Sequence, residues 1–231
     1  MTYQLGIIGG VGSSASSYFY EKLLNNTKVN KDQDHLDMII LNHASIPDRT
    51  SYIVDHSKEN PLPAILEDIK ILNNLNVELI MIPCNTSHYF YDEFQAASKA
   101  KVYHMIKETV KHLASQGIKK VGIWATDGTI QSELYQKACI EFNIEYVIPC
   151  SENQKIVMSL IYDYVKAGKK GDYGLFKKIQ REMNKKEVQS IILACTELSV
   201  LKQQLQLSSY FCDPLDIACD YILDYFQKEK I

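Results

Sequence analysis

Leu79-Ile80-Met81-Ile82-Pro83-Cys84-Asn85-Thr86-Ser87-His88 and Ser190-Ile191-Ile192-Leu193-Ala194-Cys195-Thr196-Glu197-Leu198-Ser199 follow one pattern. Each is a short apolar run that stops at a cysteine, with Asn, Thr or Glu behind it. An apolar run without alternation suits a strand buried on both faces of a parallel sheet. The polar residues that follow suit a helix start. Open α/β sheets bind their ligands at the carboxyl ends of strands, and both thiols fall there. Two thiols facing each other across a cleft can take a proton from one side of a carbon and return one to the other side, which is the geometry of racemisation.

The rest of the chain fits a two-fold α/β design. Strands are expected at Gln4–Ile8, Asp37–Leu41, Val77–Ile82, Val121–Trp124, Glu145–Ile148 and Ser190–Leu193, with a shorter run near Val102–His104. Helical patterns lie between them at Ser14–Asn25, Pro61–Leu75, Ile106–Gln116, Ile130–Phe142, Ile156–Lys166, Tyr173–Lys185 and Pro214–Gln227, and Asp48–Asn60 and Lys166–Gly171 read as loops. Alternation of this kind predicts parallel sheets with right-handed crossovers. The order of landmarks repeats: Gly6 and Gly122 stand 116 residues apart, Asn42 and Cys150 108 apart, and Cys84 and Cys195 111 apart. The expectation is two similar α/β domains, each a parallel sheet flanked by helices, with the active site in the cleft between them. The first domain would take residues 1–100 plus 211–231, through a returning last helix, and the second residues 101–210.

Composition narrows the function. The 231 residues are 46% hydrophobic and 23% charged, with a net charge of −3. That is ordinary for a globular chain, and it lacks the basic footprint of a nucleic-acid binder. No apolar run nears the roughly 18 residues of a membrane span. The opening Met1-Thr2-Tyr3-Gln4-Leu5 has none of the features of a signal peptide, so a cytoplasmic location is expected. The six cysteines include no Cys-x-x-Cys pair, so the usual zinc spacings are missing and no metal is expected. Cys139 and Cys219, in expected helices, read as small buried hydrophobes. Cys150 and Cys212 end short apolar runs.

Several motifs carry two readings. Gly10-Val11-Gly12-Ser13-Ser14-Ala15 formally matches a dinucleotide fingerprint. The acid expected at the end of the second strand is replaced by Asn42-His43, so a nest of backbone N–H groups for a carboxylate is preferred and no cofactor is expected. Arg49, in Ile46-Pro47-Asp48-Arg49-Thr50, offers a fork for a carboxylate or simply bonds to Asp48. Lys166, at a helix C-terminus, serves either a ligand or the helix dipole. His88 favours a thiolate at Cys84 or caps locally. Glu197 orients a neighbour or faces the positive end of its helix.

Taken together, Gly9-Gly10-Val11-Gly12, Pro47-Asp48-Arg49-Thr50, Cys84-Asn85-Thr86-Ser87-His88, Ala125-Thr126-Asp127-Gly128-Thr129, Ile161–Gly168 and Cys195-Thr196-Glu197-Leu198 resemble the aspartate/glutamate racemase family, in its aspartate racemase branch. The resemblance implies a cofactor-independent homodimer with Cys84 and Cys195 as the acid/base thiols. It also implies that Arg49 and Lys166 hold substrate carboxylates, with Asn85, Thr86, Ser87 and Thr196 around the amino-acid end. Ile8-Gly9-Gly10 and Glu197 stand where the glutamate racemases carry Asp-Ser-Gly and His, and Cys84 stands where a broad-specificity branch carries Thr. Val11 and Ser13 replace Met and Pro, which bears on pocket shape. The expected activity is interconversion of L- and D-aspartate, with glutamate as a further substrate. The alternatives are a hydantoin racemase or maleate isomerase chemistry, and a non-catalytic amino-acid-binding or redox-sensing protein.

Overall fold

The computed structural model describes residues 3–231. Strands β1 (Leu5–Gly9), β2 (Met38–Asn42), β3 (Leu79–Met81) and β4 (Lys101–Val102) form one sheet in the order β2-β1-β3-β4. Strands β5 (Lys120–Ala125), β6 (Glu145–Val147), β7 (Ser190–Ala194) and β8 (Phe211–Cys212) form a second in the order β6-β5-β7-β8. Every pairing within these two sheets is parallel. The architecture is α/β, with the same topology in each sheet, as the repeated landmarks predict.

Burial explains which strands the sequence displays most clearly. The inner strands β1, β3 and β7 are buried at every residue, and they are the runs that read as continuous apolar stretches. The edge strands β2 and β6 are half-exposed. Strand β8 has only two residues and carries no signal of its own.

Helices close both faces. On α3 (Leu62–Asn74) the residues Ile65, Ile69 and Leu72 are buried, and on α9 (Tyr173–Lys185) Phe176, Ile179 and Met183. These spacings of three or four residues place an apolar stripe on the sheet. Asp172 caps α9 by accepting from the Leu175 N–H at 2.9 Å. The two lobes repeat one contact in detail. A Cβ at Gly6 in β1 would lie 2.8 Å from Leu72 Cδ1, and one at Gly122 in β5 would lie 2.9 Å from Met183 Sδ. The bare backbone in mid-strand lets the covering helix sit close.

The last helix, α11 (Pro214–Tyr225), starts with Pro at its first turn and an Asp213 cap. Its Leu215, Ala218, Cys219, Ile222 and Leu223 pack with Leu5, Ile7, Leu79 and Met81 on the first sheet and with Phe19 on the helix after β1. Strand β8, just before it, pairs with β7 in the second sheet, while Lys101–Val102 pairs with β3 in the first. We keep the two-domain division as a proposal, with its crossings moved to follow β4 and β8. Helix α5 (Met105–Ser115) makes the first crossing.

Four local expectations change. Asp48–Asn60 is not all loop: Asp48 caps a short helix, α2 (Arg49–Val54), accepting from the Ser51 N–H at 2.8 Å. The Ile130–Phe142 helix is broken into α6 (Asp127–Gln131) and α7 (Leu134–Glu141) by Glu133, whose φ of 58° lies in the left-handed region. Ile156–Lys166 is the end of α8 (Ser151–Ser159) followed by a π-helical turn over Leu160–Val165. Helix α10 (Thr196–Leu205) follows Cys195 directly, whereas Cys84 leads into a 3-10 turn, Thr86–Phe90, before α4 (Tyr91–Ala97).

Gly6→Val should cost about 1–3 kcal/mol by overpacking, and Leu72→Ala about 2–5 kcal/mol by leaving a void. The double variant should lose less than the sum of the two, because the new methyls fill the space that Leu72 vacates. Urea denaturation of all four proteins measures the coupling; strict additivity would mean that the two positions do not share this contact.

Candidate active site

The carboxyl ends of both sheets meet around one small cavity. Val11, Asp48, Arg49, Thr50, Cys84 and Asn85 line it from one lobe, and Thr126, Tyr162, Lys166, Cys195, Thr196 and Glu197 from the other, with Thr86 between them. Only about 10 Å³ is open to the centre of a water molecule, so the lobes are closed on each other. Three hydroxyls zip them together: Thr86 Oγ1 lies 3.0 Å from Thr126 Oγ1 and 2.9 Å from Thr129 Oγ1. At Gly128 a Cβ would come within 2.9 Å of the Thr50 Cα, so the absent side chain permits α6 to touch α2.

Of the residues singled out from the sequence, Cys84, Cys195, Arg49, Asn85, Thr86, Lys166 and Thr196 all reach this cavity. Ser87 does not; it is fully buried behind the turn, and its hydroxyl has no partner. All six cysteines are free, and among them Cys150 alone is exposed.

Arg49 is 6% exposed, contrary to the solvated loop residue its sequence context allows. One terminal nitrogen donates to the Val11 carbonyl at 2.8 Å, and the other to the carbonyls of Pro47 at 3.1 Å and Ile46 at 3.4 Å. Its Nε has no partner. Burial opposes the charge, but attraction to Cys84, then to Asp48, outweighs it and raises the guanidinium pKa. The Asp48 carboxylate faces the opposite lobe, 3.5 Å from Lys166 Nζ and 3.2 Å from the donating Tyr162 hydroxyl. Lys166 itself lies 4.3 Å above the Tyr162 ring. Burial works against its charge too, and attraction to Glu197, Tyr162, Cys195 and Asp48 raises its pKa in spite of that.

The environment of Cys195 differs from that of Cys84. Its Sγ donates to Glu197 Oε2 at 2.9 Å. Burial and the Glu197 charge push this thiol well above its usual range, against a smaller opposite pull from Lys166. Both cysteines precede helical turns that lack side-chain caps, at Asn85 and Cys195, and such uncapped turns present backbone N–H groups to anions. Asn85 is held by Tyr135, whose hydroxyl donates to its Oδ1 at 2.6 Å, while its Nδ2 has no partner.

His88 has a structural place. Its Nε2 accepts the Met105 N–H at 3.1 Å, so Nδ1 carries the proton and donates to the Cys84 carbonyl at 2.9 Å. Burial lowers its pKa, and the neutral ring ties the cysteine turn to the start of α5. His104 lies beside it, 4.0 Å from the Tyr91 ring. Its Nδ1 caps α5 by accepting the Lys107 N–H, and burial followed by His88 pushes its pKa down to about 3.

Glu197, Tyr162, Asp48 and Tyr135 are the functional candidates that sequence reasoning left unassigned. The Cys-Thr-Glu and Pro-Asp-Arg-Thr motifs contain two of them. Tyr135 carries no signal, because its contact with Asn85 spans 50 positions.

Fold and site define a two-lobed α/β protein with one thiol from each lobe in a shared, cation-lined cavity. The sequence profile of the Asp/Glu/Hydantoin racemase family matches residues 8–222, and the chain belongs to this family. Membership places it among racemases, which are isomerases. The broad specificity amino-acid racemase RacX of Bacillus subtilis (strain 168) is 28% identical over 87% of this chain and 88% of its own length. The structure of Picrophilus torridus aspartate racemase superposes with a TM-score of 0.86 at 31% identity, over 99% of this chain and 96% of that one. Glutamate racemase from Francisella tularensis, solved with D-glutamate, shares the fold with a TM-score of 0.67 at 20% identity, over 98% of this chain and 81% of that one.

Two outcomes follow from this scaffold. Tyr135→Phe should lower kcat/KM for the racemised amino acid by about five- to tenfold, the effect of one neutral hydrogen bond worth about 1 kcal/mol, with the melting temperature little changed. His104 is held neutral in the folded chain, while its unfolded pKa is about 6.5. Stability is therefore full above that value and falls as the pH drops below it, since a protonated Nδ1 cannot accept the Lys107 N–H. Melting curves from pH 7.5 to 5 should show the decline, and His104→Asn, which retains a capping acceptor, should make it shallower, the remainder coming from the buried neutral His88.

Proposed function

We propose that the protein interconverts L- and D-aspartate by two-base proton transfer at Cα, with Cys84 and Cys195 as the acid/base pair and no cofactor. The observation that carries this reading is the convergence of two free thiols, one from each lobe, on a closed cavity that also holds Arg49 and Lys166. One thiolate removes the Cα proton and the opposite thiol delivers another. The electron pair left on Cα spreads into the α-carboxylate, which the uncapped N–H groups after Asn85 and Cys195 and the free Asn85 Nδ2 would hold. Preorganised donors of this kind stabilise charge that develops in the transition state. Arg49 and Lys166 are the cations for the dicarboxylate, with Thr86 and Thr196 lining the space around it. Ser87 supports the turn from behind. Lys166 would exchange its Asp48 partner for substrate as the lobes re-close.

The likeness to the Picrophilus torridus aspartate racemase supports aspartate over the longer glutamate. A cytoplasmic homodimer belongs to the same proposal, and light scattering of the purified chain tests the dimer.

Incubation with L- or D-aspartate in D2O, with no added cofactor, should give deuterium at Cα and loss of optical rotation. Cys84→Ala and Cys195→Ala should each lose racemisation by about 10⁴ or more, the upper end of the range for a general acid or base, while Cys139→Ala and Cys219→Ala stay active. Arg49→Ala should lower kcat/KM for aspartate by about ten- to a hundredfold, as expected for one charge-assisted hydrogen bond. Racemisation of alanine or asparagine in preference to aspartate, or an active variant at either paired cysteine, would overturn the assignment.

A further inference from the structure

Two residues after each paired cysteine the lobes diverge. Thr86 follows Cys84, and its hydroxyl is spent on Thr126 and Thr129. Glu197 follows Cys195, and its Oε2 accepts the thiol at 2.9 Å. Its other oxygen lies against the bare backbone of Gly12. Gly12 precedes α1 (Ser13–Asn26) with a φ of 129°, and a Cβ on it would reach within 2.9 Å of Glu197 Oε1. Glu197 and Cys195 are 4% and 5% exposed, so neither group is free to exchange the other for water. Cys84 has no carboxylate in the equivalent place, and the charged group that attracts it is the Arg49 guanidinium.

We propose that Glu197 is a positioning residue that keeps the proton on Cys195 in the empty site, so that Cys84 is the thiolate that meets substrate first. This rests on the two-thiol reading above. The groups facing Cys195 are Glu197 from its own helix, Lys166 and Tyr162 from the π-helical turn and its end, and Cys84 from the other lobe. Arg49 and Asp48 on and before α2 face Glu197 and Lys166 in turn. Lys166 favours a Cys195 thiolate, and burial together with Glu197 overrides it.

The proton balance makes the consequence measurable. An enantiomer whose Cα–H faces Cys84 gives that proton to the Cys84 thiolate, and Cα takes the Cys195 proton on its other face. Cys84 is then the thiol and Cys195 the thiolate. The site resets when solvent takes a proton from Cys84 and gives one to Cys195. The mirror-image substrate requires the second form, which Glu197 keeps scarce. The two enantiomers have equal free energy, so kcat/KM is the same in both directions whatever Glu197 does. The scarcity appears only in the separate constants. The enantiomer that needs the minor form shows a KM raised by the inverse of that form's population, and a kcat raised in proportion.

The test uses wild type, Glu197→Gln and Glu197→Asp. Iodoacetamide labelling is followed by peptide mass mapping between pH 6 and 9, and kcat and KM are measured separately for L- and D-aspartate. In wild type, Cys84 should label at least ten times faster than Cys195 at pH 7. In Glu197→Gln the labelling of Cys195 should rise about ten- to a hundredfold, the worth of a charge-assisted hydrogen bond, with its pH midpoint moved down. The ratio of the two KM values should move toward one, while Glu197→Asp stays near wild type. Equal labelling of the two thiols in wild type, or an unchanged Cys195 profile in Glu197→Gln, overturns the proposal. Should Glu197→Gln unfold, the buried Cys139 and Cys219 would label as well, and the wild-type ratio together with Glu197→Asp then decides. Failure of wild type to racemise aspartate would sink the two-thiol reading, and the labelling order would still judge Glu197.

Discussion

A guanidinium in the interior with no carboxylate in salt-bridge range makes demands on everything around it. Arg49 donates to three backbone carbonyls, its Nε is left over, and the nearby Cys84 thiol attracts its charge. Removing a cation from water is costly unless it is paired and hydrogen-bonded. The carbonyls serve its two terminal nitrogens but not its Nε or its charge, so the site has a standing requirement for an anion. Thiolate and substrate carboxylate are the two candidates. The position of Arg49 in turn depends on Asp48, which starts α2 and fixes where the side chain emerges. Asp48 also reaches Lys166 and Tyr162, so one N-cap residue serves helix, cation and lobe contact together.

Much of this was legible in the sequence, for physical reasons. Inner parallel strands are buried on both faces, so Leu5–Gly9 and Ser190–Ala194 declare themselves as apolar runs, and the cysteines behind them mark the binding edge. The matching offsets carry through to packing: Gly6 and Gly122 do the same work against α3 and α9. What stayed hidden depends on contacts distant in sequence. Arg49 reads as a loop residue because Pro47-Asp48 marks a turn; its burial against the distant Val11 is invisible from the five residues around it. The break before α7 turns on one left-handed residue, Glu133, in an otherwise continuous helical pattern. Strand β8 is too short for any periodicity. Among site residues, Glu197 was visible but ambiguous, since an acid near a helix start is favourable without any thiol beside it.

The two histidines near Cys84 show why motif chemistry needs geometry. A histidine four residues from a cysteine suggests activation, yet His88 donates to the backbone carbonyl of Cys84 and accepts from Met105. It acts as a bracket between the cysteine turn and the crossing helix. The electrostatic difference between the thiols comes from Arg49 and Glu197, which lie near the thiols in space and on opposite lobes.

The way the chain passes between lobes has a mechanical consequence. It crosses through α5 and again between β8 and α11, and α5 and α11 pack against each other. Both crossings therefore share one side of the molecule, while the Asp48 contacts with Lys166 and Tyr162 tie the lobes across the cavity. A body joined along a single spine swings about that spine like the covers of a book. Sliding of one lobe over the other would have to stretch two adjacent connections in opposite senses. Rotation about the α5–α11 seam would open the cavity to a molecule larger than a water. That seam, far from the thiols in sequence, is where a change in stiffness would alter how often the cavity is open.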